Sequence, residues 1–251
     1  LLSQLLMKNG IDTVIVEKHS ENHVLSRIRA GVLEPKSVSL LKEAGVGERI
    51  RKKGLLHSGT ILCCNNESLR IDFKKYTGEA VTVFGQTEIT KDLYSAQKEL
   101  NSKIFHKTKN LHIEGLSGDM PKTHFETENG ESLTVSSDFV VGCDGFHGVS
   151  RSYIPKNEKK IFTKKYPFGW LGILSETPPL HHELVYSNSE RGFALASMRN
   201  NNLSRYYIQC SLQTDVKKYS DKYFWDELIR RLPEKYIAGL VTGPSIEKSI
   251  A

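Results

Sequence analysis

The first seventeen residues constrain the fold most. Leu1, Leu2, Leu5 and Leu6 fall on one face of a helix, and Gly10 supplies its stop. Thr13-Val14-Ile15-Val16 then reads as a short, wholly apolar strand ending at Glu17. Helix, glycine, buried strand and terminal acid form the second half of a βαβ unit, which predicts an α/β fold with a parallel sheet. In dinucleotide-binding folds an acid at this strand end accepts hydrogen bonds from a ribose. A plain strand-end acid is the alternative reading of Glu17. The matching first strand and glycine-rich loop are expected upstream of Leu1, and the chain reads as a piece of a longer protein, incomplete at both ends.

A second stretch has the same character. Phe139-Val140-Val141 reads as a buried strand that runs into a turn holding Gly142, Gly145 and Gly148 around Asp144 and His147. Glycines at a strand end let a ligand approach the backbone, and a helix beginning near Ser150 can face a phosphate. An ordinary strand–turn–helix corner fits equally well. Between these stretches lie Arg27 and Arg29, two apart on an extended segment, so that both side chains point one way and can clamp a phosphate.

Helical periodicity predicts helices over 35–44, 46–53, 88–100 and 221–231. Strands are expected at 60–63, 69–73, 80–84, near Ile104, in a meander over 111–135, and at 162–165, 170–174, 183–186, 193–197 and 205–210. Gln86 sits at a strand–helix junction. Two sheet-rich excursions combine into one domain, predicting a first domain of 1–59 and 87–160 and a second of 60–86 and 161–251.

The charge of +6 favours anionic ligands, but acids lie between the basic pairs, so a nucleic-acid track is not expected. No stretch approaches the roughly 18 apolar residues of a membrane span. Cys63, Cys64, Cys143 and Cys210 show neither a disulfide framework nor metal-ligand spacing, which predicts a reduced, cytoplasmic protein without a metal.

Taken together, Arg27-Ile28-Arg29-Ala30-Gly31-Val32-Leu33-Glu34, Phe84-Gly85-Gln86-Thr87-Glu88, Gly142-Cys143-Asp144-Gly145-Phe146-His147-Gly148, Tyr166-Pro167-Phe168-Gly169-Trp170-Leu171-Gly172 and Arg191-Gly192-Phe193-Ala194-Leu195 resemble the 4-hydroxybenzoate 3-monooxygenase family. These are class A flavoprotein aromatic hydroxylases. The resemblance runs from end to end of the chain in consistent order. It implies a Rossmann-type FAD-binding domain interleaved with a sheet-based substrate domain, with FAD and NADPH as cofactors, 4-hydroxybenzoate and O₂ as substrates, and a homodimer as a candidate assembly. It places Glu17 at the adenosine ribose, Arg29 with Arg27 near the pyrophosphate and incoming NADPH, and Gln86, Asp144 and Gly145 along FAD. His147 falls on the NADPH path. Ser197, Arg199 and Tyr207 match the group holding the substrate carboxylate, and Tyr186 the tyrosine bonded to the phenol. His57 matches the end of a proton relay and Arg205 an arginine beside the flavin.

The residues support part of this on their own. Ser197 and Arg199, two apart on one expected strand, face the same side, and Tyr207 on a neighbouring strand can join them. A buried arginine is costly without an anion. Each of Tyr186 and His57, taken alone, is more often a packing tyrosine or a surface histidine, and it is the resemblance that reverses this. Two other readings stay open: a related hydroxylase of another phenolic acid, and a non-catalytic nucleotide-binding module that kept the fold.

Overall fold

The computed structural model describes residues 1–27, 31–64, 66–213 and 215–250. The chain is mixed α/β and divides into two compact units, one of Leu1–Ile28 with Thr90–Lys164 and one of Arg29–Ile89 with Lys165–Ala251. Among the described residues no helix is long and apolar enough to cross a membrane.

In the first unit, helix Leu2–Lys8 closes where the Gly10 N–H donates to the Met7 carbonyl, with Gly10 at φ +76°, a left-handed position that glycine tolerates. Strand Val14–Val16 follows and pairs in parallel with Lys103–Phe105. The most buried contact of the helix is polar. Leu1 and Leu2 are exposed, whereas buried Gln4 accepts from Gln97 Nε2 at 2.7 Å and Ser3 donates to Gln97 Oε1 at 2.9 Å. A three-stranded antiparallel sheet follows, in the order Ser132–Ser136, Lys122–Glu126, Lys109–Glu114.

The strand expected at Phe139–Val141 is not formed, and Phe139 is 86% exposed. A strand exists only when its backbone groups find a ladder partner. The parallel sheet holds two strands, and 139–141 pairs with neither.

The second unit is built on a seven-stranded sheet. Its spatial order is Ser245–Ile250, Phe168–Ser175, Leu203–Ser211, Gly192–Asn200, Leu184–Ser189, Gly59–Cys64, Glu67–Asp72. Alternation assigns each residue to a face. One face carries Ile61, Val185, Ala194, Ala196, Tyr206 and Ile208, which bury against Phe224, Trp225 and Leu228 of helix Asp221–Ile229. Ser220 caps that helix by accepting from the Tyr223 N–H at 3.1 Å. The opposite face is considered below.

A small antiparallel sheet pairs Val81–Val83 with both Val32–Leu33 and Leu55–His57. Residues 31–59, expected in the first domain, cluster with the second unit. No strand forms at Phe162–Lys165; the first sheet strand of this region begins at Phe168, and Phe162 is 84% exposed. The edge strand Ser245–Ile250 was not anticipated, because four of its six residues are polar or charged and the apolar signal is thin.

Candidate functional site

Cross-strand register brings most of the expected substrate residues together. Tyr186 lies opposite Leu195, which lies opposite Tyr207, which lies opposite Gly172. In the next row Ser197 faces Arg205. All point away from the helix-packed face. The strands carrying Tyr186 and Tyr207 flank the Gly192–Asn200 strand, so their backbones are about 10 Å apart. Gly172 keeps this row open, because a Cβ there would stand 2.6 Å from the Tyr207 ring and 3.0 Å from Arg205 Nη2.

The two arginines differ. Arg205 is buried and already engaged, with Nη1 3.1 Å from the Glu247 carboxylate, Nη2 donating to Ser249 Oγ at 3.2 Å, and its guanidinium 5.0 Å from the Tyr207 ring centre. Arg199 sits beside an irregularity in the pairing between Met198 and Asn200, and its Nη1 occupies the space a Cβ at Gly31 would fill. Its Nε is buried with no hydrogen-bond partner among the described residues. Burial pushes the Arg199 guanidinium below its ordinary range; Tyr207 opposes this, Arg205 adds to it, and Glu247 opposes it. Ser197 is buried, its hydroxyl 3.5 Å from the Met198 carbonyl. The ring of Tyr186 lies 5.9 Å from that of Phe193. A guanidinium with a buried, unsatisfied N–H beside hydroxyl groups is the kind of donor set a carboxylate needs.

His57 ends the short strand Leu55–His57 and is 1% exposed. Both ring nitrogens are buried without a hydrogen-bond partner among the described residues. The His182 ring stands 6.3 Å away, edge-on. Burial pushes the His57 pKa down; His182 adds to this, Glu183 opposes it, and His181 adds to it. Sequence reasoning missed what lies alongside. Glu183 is fully buried and takes a bidentate pair from Arg70, at 2.7 Å to each oxygen. That contact holds Glu183 below the usual carboxylate range against its burial. The separation of 113 residues leaves no local signal for it.

In the first unit, Glu17 is anchored at the strand end. Its N–H donates to the Phe105 carbonyl at 2.8 Å, its carbonyl accepts from Thr108, and its carboxylate accepts the His19 N–H at 2.7 Å. Arg27 is exposed at the end of helix Glu21–Ser26; Arg29 lies outside the described residues. Gln86, in the second unit, is exposed at the first turn of helix Gln86–Glu99.

The glycine turn is organised from within. Asp144 accepts the Ser150 N–H at 2.8 Å and the Ser150 hydroxyl, which together hold its carboxyl below the usual range. A Cβ at Gly148 would fall 1.9 Å from the Asp144 carboxyl carbon, and one at Gly142 2.4 Å from Ser150 Oγ. These two glycines therefore serve the turn's own closure. Gly145 differs, with φ +71° and nothing within 4 Å of a Cβ, so its backbone is open to approach. His147 is exposed, its ring 4.9 Å from that of Phe146. A strand-end carboxylate and an open glycine turn fit the hydroxyls and polar edge of a dinucleotide such as FAD.

Known proteins agree with this architecture. A family described as "FAD binding domain" matches residues 1–251. A curated p-hydroxybenzoate hydroxylase from Acinetobacter baylyi is 50% identical over 252 residues, covering 100% of this chain and 62% of that protein. Among solved structures, a p-nitrophenol 4-monooxygenase from Pseudomonas putida superposes with a TM-score of 0.78 at 15% identity, over 99% of this chain and 63% of that one. PqsL, a probable FAD-dependent monooxygenase from Pseudomonas aeruginosa, gives 0.74 at 16% identity, over 98% and 69%. At such identities the structural likeness concerns the fold alone. The chain spans about three-fifths of the length of its curated relative. The match over its whole length, in keeping with the parallel strand that leads to Glu17, shows that the chain belongs to the FAD binding domain family.

Proposed function

We propose that this chain is part of an FAD-dependent monooxygenase that converts 4-hydroxybenzoate to 3,4-dihydroxybenzoate. NADPH would supply two electrons; one atom of O₂ enters the ring and the other leaves as water. The observation that carries the reading is Arg199, half-buried with a buried Nε that has no hydrogen-bond partner among the described residues, on a sheet face that also presents Ser197, Tyr207 and Tyr186. The name of the Acinetobacter relative supports the substrate.

In this reading Ser197, Arg199 and Tyr207 hold the carboxylate. Tyr186 donates to the phenolic oxygen. A phenol ionises near pH ~10, so a donor to its oxygen favours the more reactive phenolate at neutral pH. Buried, neutral His57 is suited to accept the departing proton. Arg205, paired with Glu247, adds positive potential and fixes Tyr207. Bound FAD would supply the activation of dioxygen. Glu17 would hold its ribose, Arg27 and Arg29 its phosphates, and Gln86, Asp144 and Gly145 its remaining polar edge, with His147 toward NADPH. The four cysteines are free thiols, which suits a reducing, cytoplasmic setting. A homodimer is the assembly proposed.

The test uses the full-length protein loaded with FAD. 4-Hydroxybenzoate should accelerate NADPH oxidation and yield 3,4-dihydroxybenzoate by chromatography. Arg199→Met should weaken 4-hydroxybenzoate binding about 10–100-fold, the scale of hydrogen bonds to a charged group. Urea unfolding of the ligand-free variant checks that the fold is retained, so that a loss of binding reports on the contact and not on the fold. Unstimulated NADPH oxidation would overturn the hydroxylase, and tight binding without reduction would point to the non-catalytic module.

A further inference from the structure

A second chemical constellation lies in the antiparallel sheet of the first unit, on residues the proposed hydroxylation does not use. His112 and His124 face each other across strands Lys109–Glu114 and Lys122–Glu126, their rings stacked at 4.6 Å. Glu114, two residues beyond His112, lies on the same face. Its carboxylate stands 3.6 Å from His112 Nε2 and 3.5 Å from His124 Nε2. One ligand atom from each of the three residues can be chosen so that all lie within 4.8 Å of one another. Ligands bound about 2.0–2.1 Å from a tetrahedral zinc are roughly 3.3–3.4 Å apart, so small side-chain adjustments suffice.

The outer contacts select the inward nitrogens. His112 Nδ1 faces the Asn110 carbonyl at 3.4 Å, and that carbonyl can only accept, so Nδ1 carries the hydrogen. His124 Nδ1 contacts Thr134 Oγ1 at 2.9 Å. Engagement of Nδ1 by a carbonyl or hydroxyl is the arrangement that orients a metal-binding imidazole through Nε2. The backbone contributes as well. Pairing is irregular between Lys109 and His112, and Asn110 is left-handed at φ +52°. Such an irregularity re-aims a side chain. His124 Nε2 is buried and has no hydrogen-bond partner among the described residues.

We infer that His112, Glu114 and His124 form a site for a divalent transition-metal ion of the zinc class, clasping two neighbouring strands. Two imidazoles and one carboxylate suit zinc in preference to magnesium or calcium, which select oxygen donors. Three protein ligands leave a position for water. The metal-free reading of the sequence missed the site because its signal is a His-x-Glu pair and one distant histidine joined only by register.

The experiment titrates zinc chloride into the full chain against a competing chelating dye, with far-UV circular dichroism to verify folding. The expected result is one saturable site per chain. His112→Asn with His124→Asn should weaken it more than about 100-fold, beyond the roughly 10–100-fold that loss of an outer hydrogen bond costs. Glu114→Gln, at an exposed position, should weaken it at least about 10-fold. His23→Asn, which breaks the other stacked pair of this unit, His19 with His23 at 4.2 Å, should leave it unchanged. X-ray absorption of the zinc form should show two imidazole ligands. Absence of a one-to-one site, affinity that survives the double variant or Glu114→Gln, or affinity that disappears with His23→Asn would each overturn the assignment.

Discussion

His57 is a buried base whose two nitrogens find no hydrogen-bond partner among the described residues, and this gives the protein a defined acid sensitivity. Burial favours the neutral ring, so the folded pKa lies below the ordinary value near 6.5. The unfolded chain therefore takes up a proton in a range where the folded chain resists it. The result is stability that is full above about pH 6.5 and declines as the pH falls from there toward the depressed folded value. Each unit of depression contributes about 1.4 kcal/mol. His181, also lowered first by burial, acts in the same direction. The depressed carboxyls Asp144 and Asp221 act lower, their contribution lost only as the pH falls below about 4. Urea unfolding at pH 7.5 and pH 5 should show that His57→Asn flattens the dependence between those values; equal slopes in both proteins would refute it. At this scale the sequence is legible where geometry is local. Ser197 and Arg199 share a face because strands alternate. It is illegible where a contact depends on chain closure, as at Gly142 and Gly148, whose missing Cβ atoms make room for Ser150 and Asp144 and not for a ligand.

Among the elements, strands with strong alternation could be read from the sequence, and the central ones of the second unit lie close to where expected. Phe139–Val141 and Phe162–Lys165 have strand-forming composition yet no strand, since pairing depends on a neighbour and not on propensity alone. Helix Asp221–Ile229 was legible from its apolar spacing, but its charged network was not. Glu227 is 3% exposed and accepts from Arg191 Nη2 at 2.6 Å and Arg231 Nη2 at 3.2 Å. Burial pushes its carboxyl up, but the arginines outweigh this and hold it below the usual range. Arg231, equally enclosed, also donates to the Phe193 and Gln209 carbonyls, tying the helix end to the sheet. Glu227→Gln leaves that buried cation without its counter-charge and should cost about 3 kcal/mol. Arg191→Gln removes a half-exposed partner and should cost less than about 1 kcal/mol. Urea unfolding of both variants checks the order, and a larger loss from Arg191→Gln would reverse the assignment of which contact matters.

For the whole chain, the two units differ in how much apolar surface each closes on itself. Among the described residues, the second gathers thirteen buried ones, from Ile61 to Leu232, into one cluster under its sheet. The first leaves Phe139, Val141 and Phe146 exposed and buries a polar Gln4–Gln97 contact between its helices. Buried apolar contact and ladder bonding set how rarely a segment opens. Amides of Leu203–Ser211 and Gly192–Asn200, each paired on both sides, should therefore exchange slowest with deuterated water. Amides of 139–147 should exchange near the rate of an unstructured chain, while the Ser150 amide, held by Asp144, is slower than its neighbours. Adding FAD in the dark should slow exchange at Glu17 and Gly145 if these hold the nucleotide, with the central strands of the sheet unaffected because they are already protected. Protection confined to the sheet, with 139–147 unchanged at saturating FAD, would remove the glycine turn from the nucleotide site. The carboxylate assignment would stand independently, because Arg199 lies in the other compact unit and its evidence is the unsatisfied Nε on the sheet.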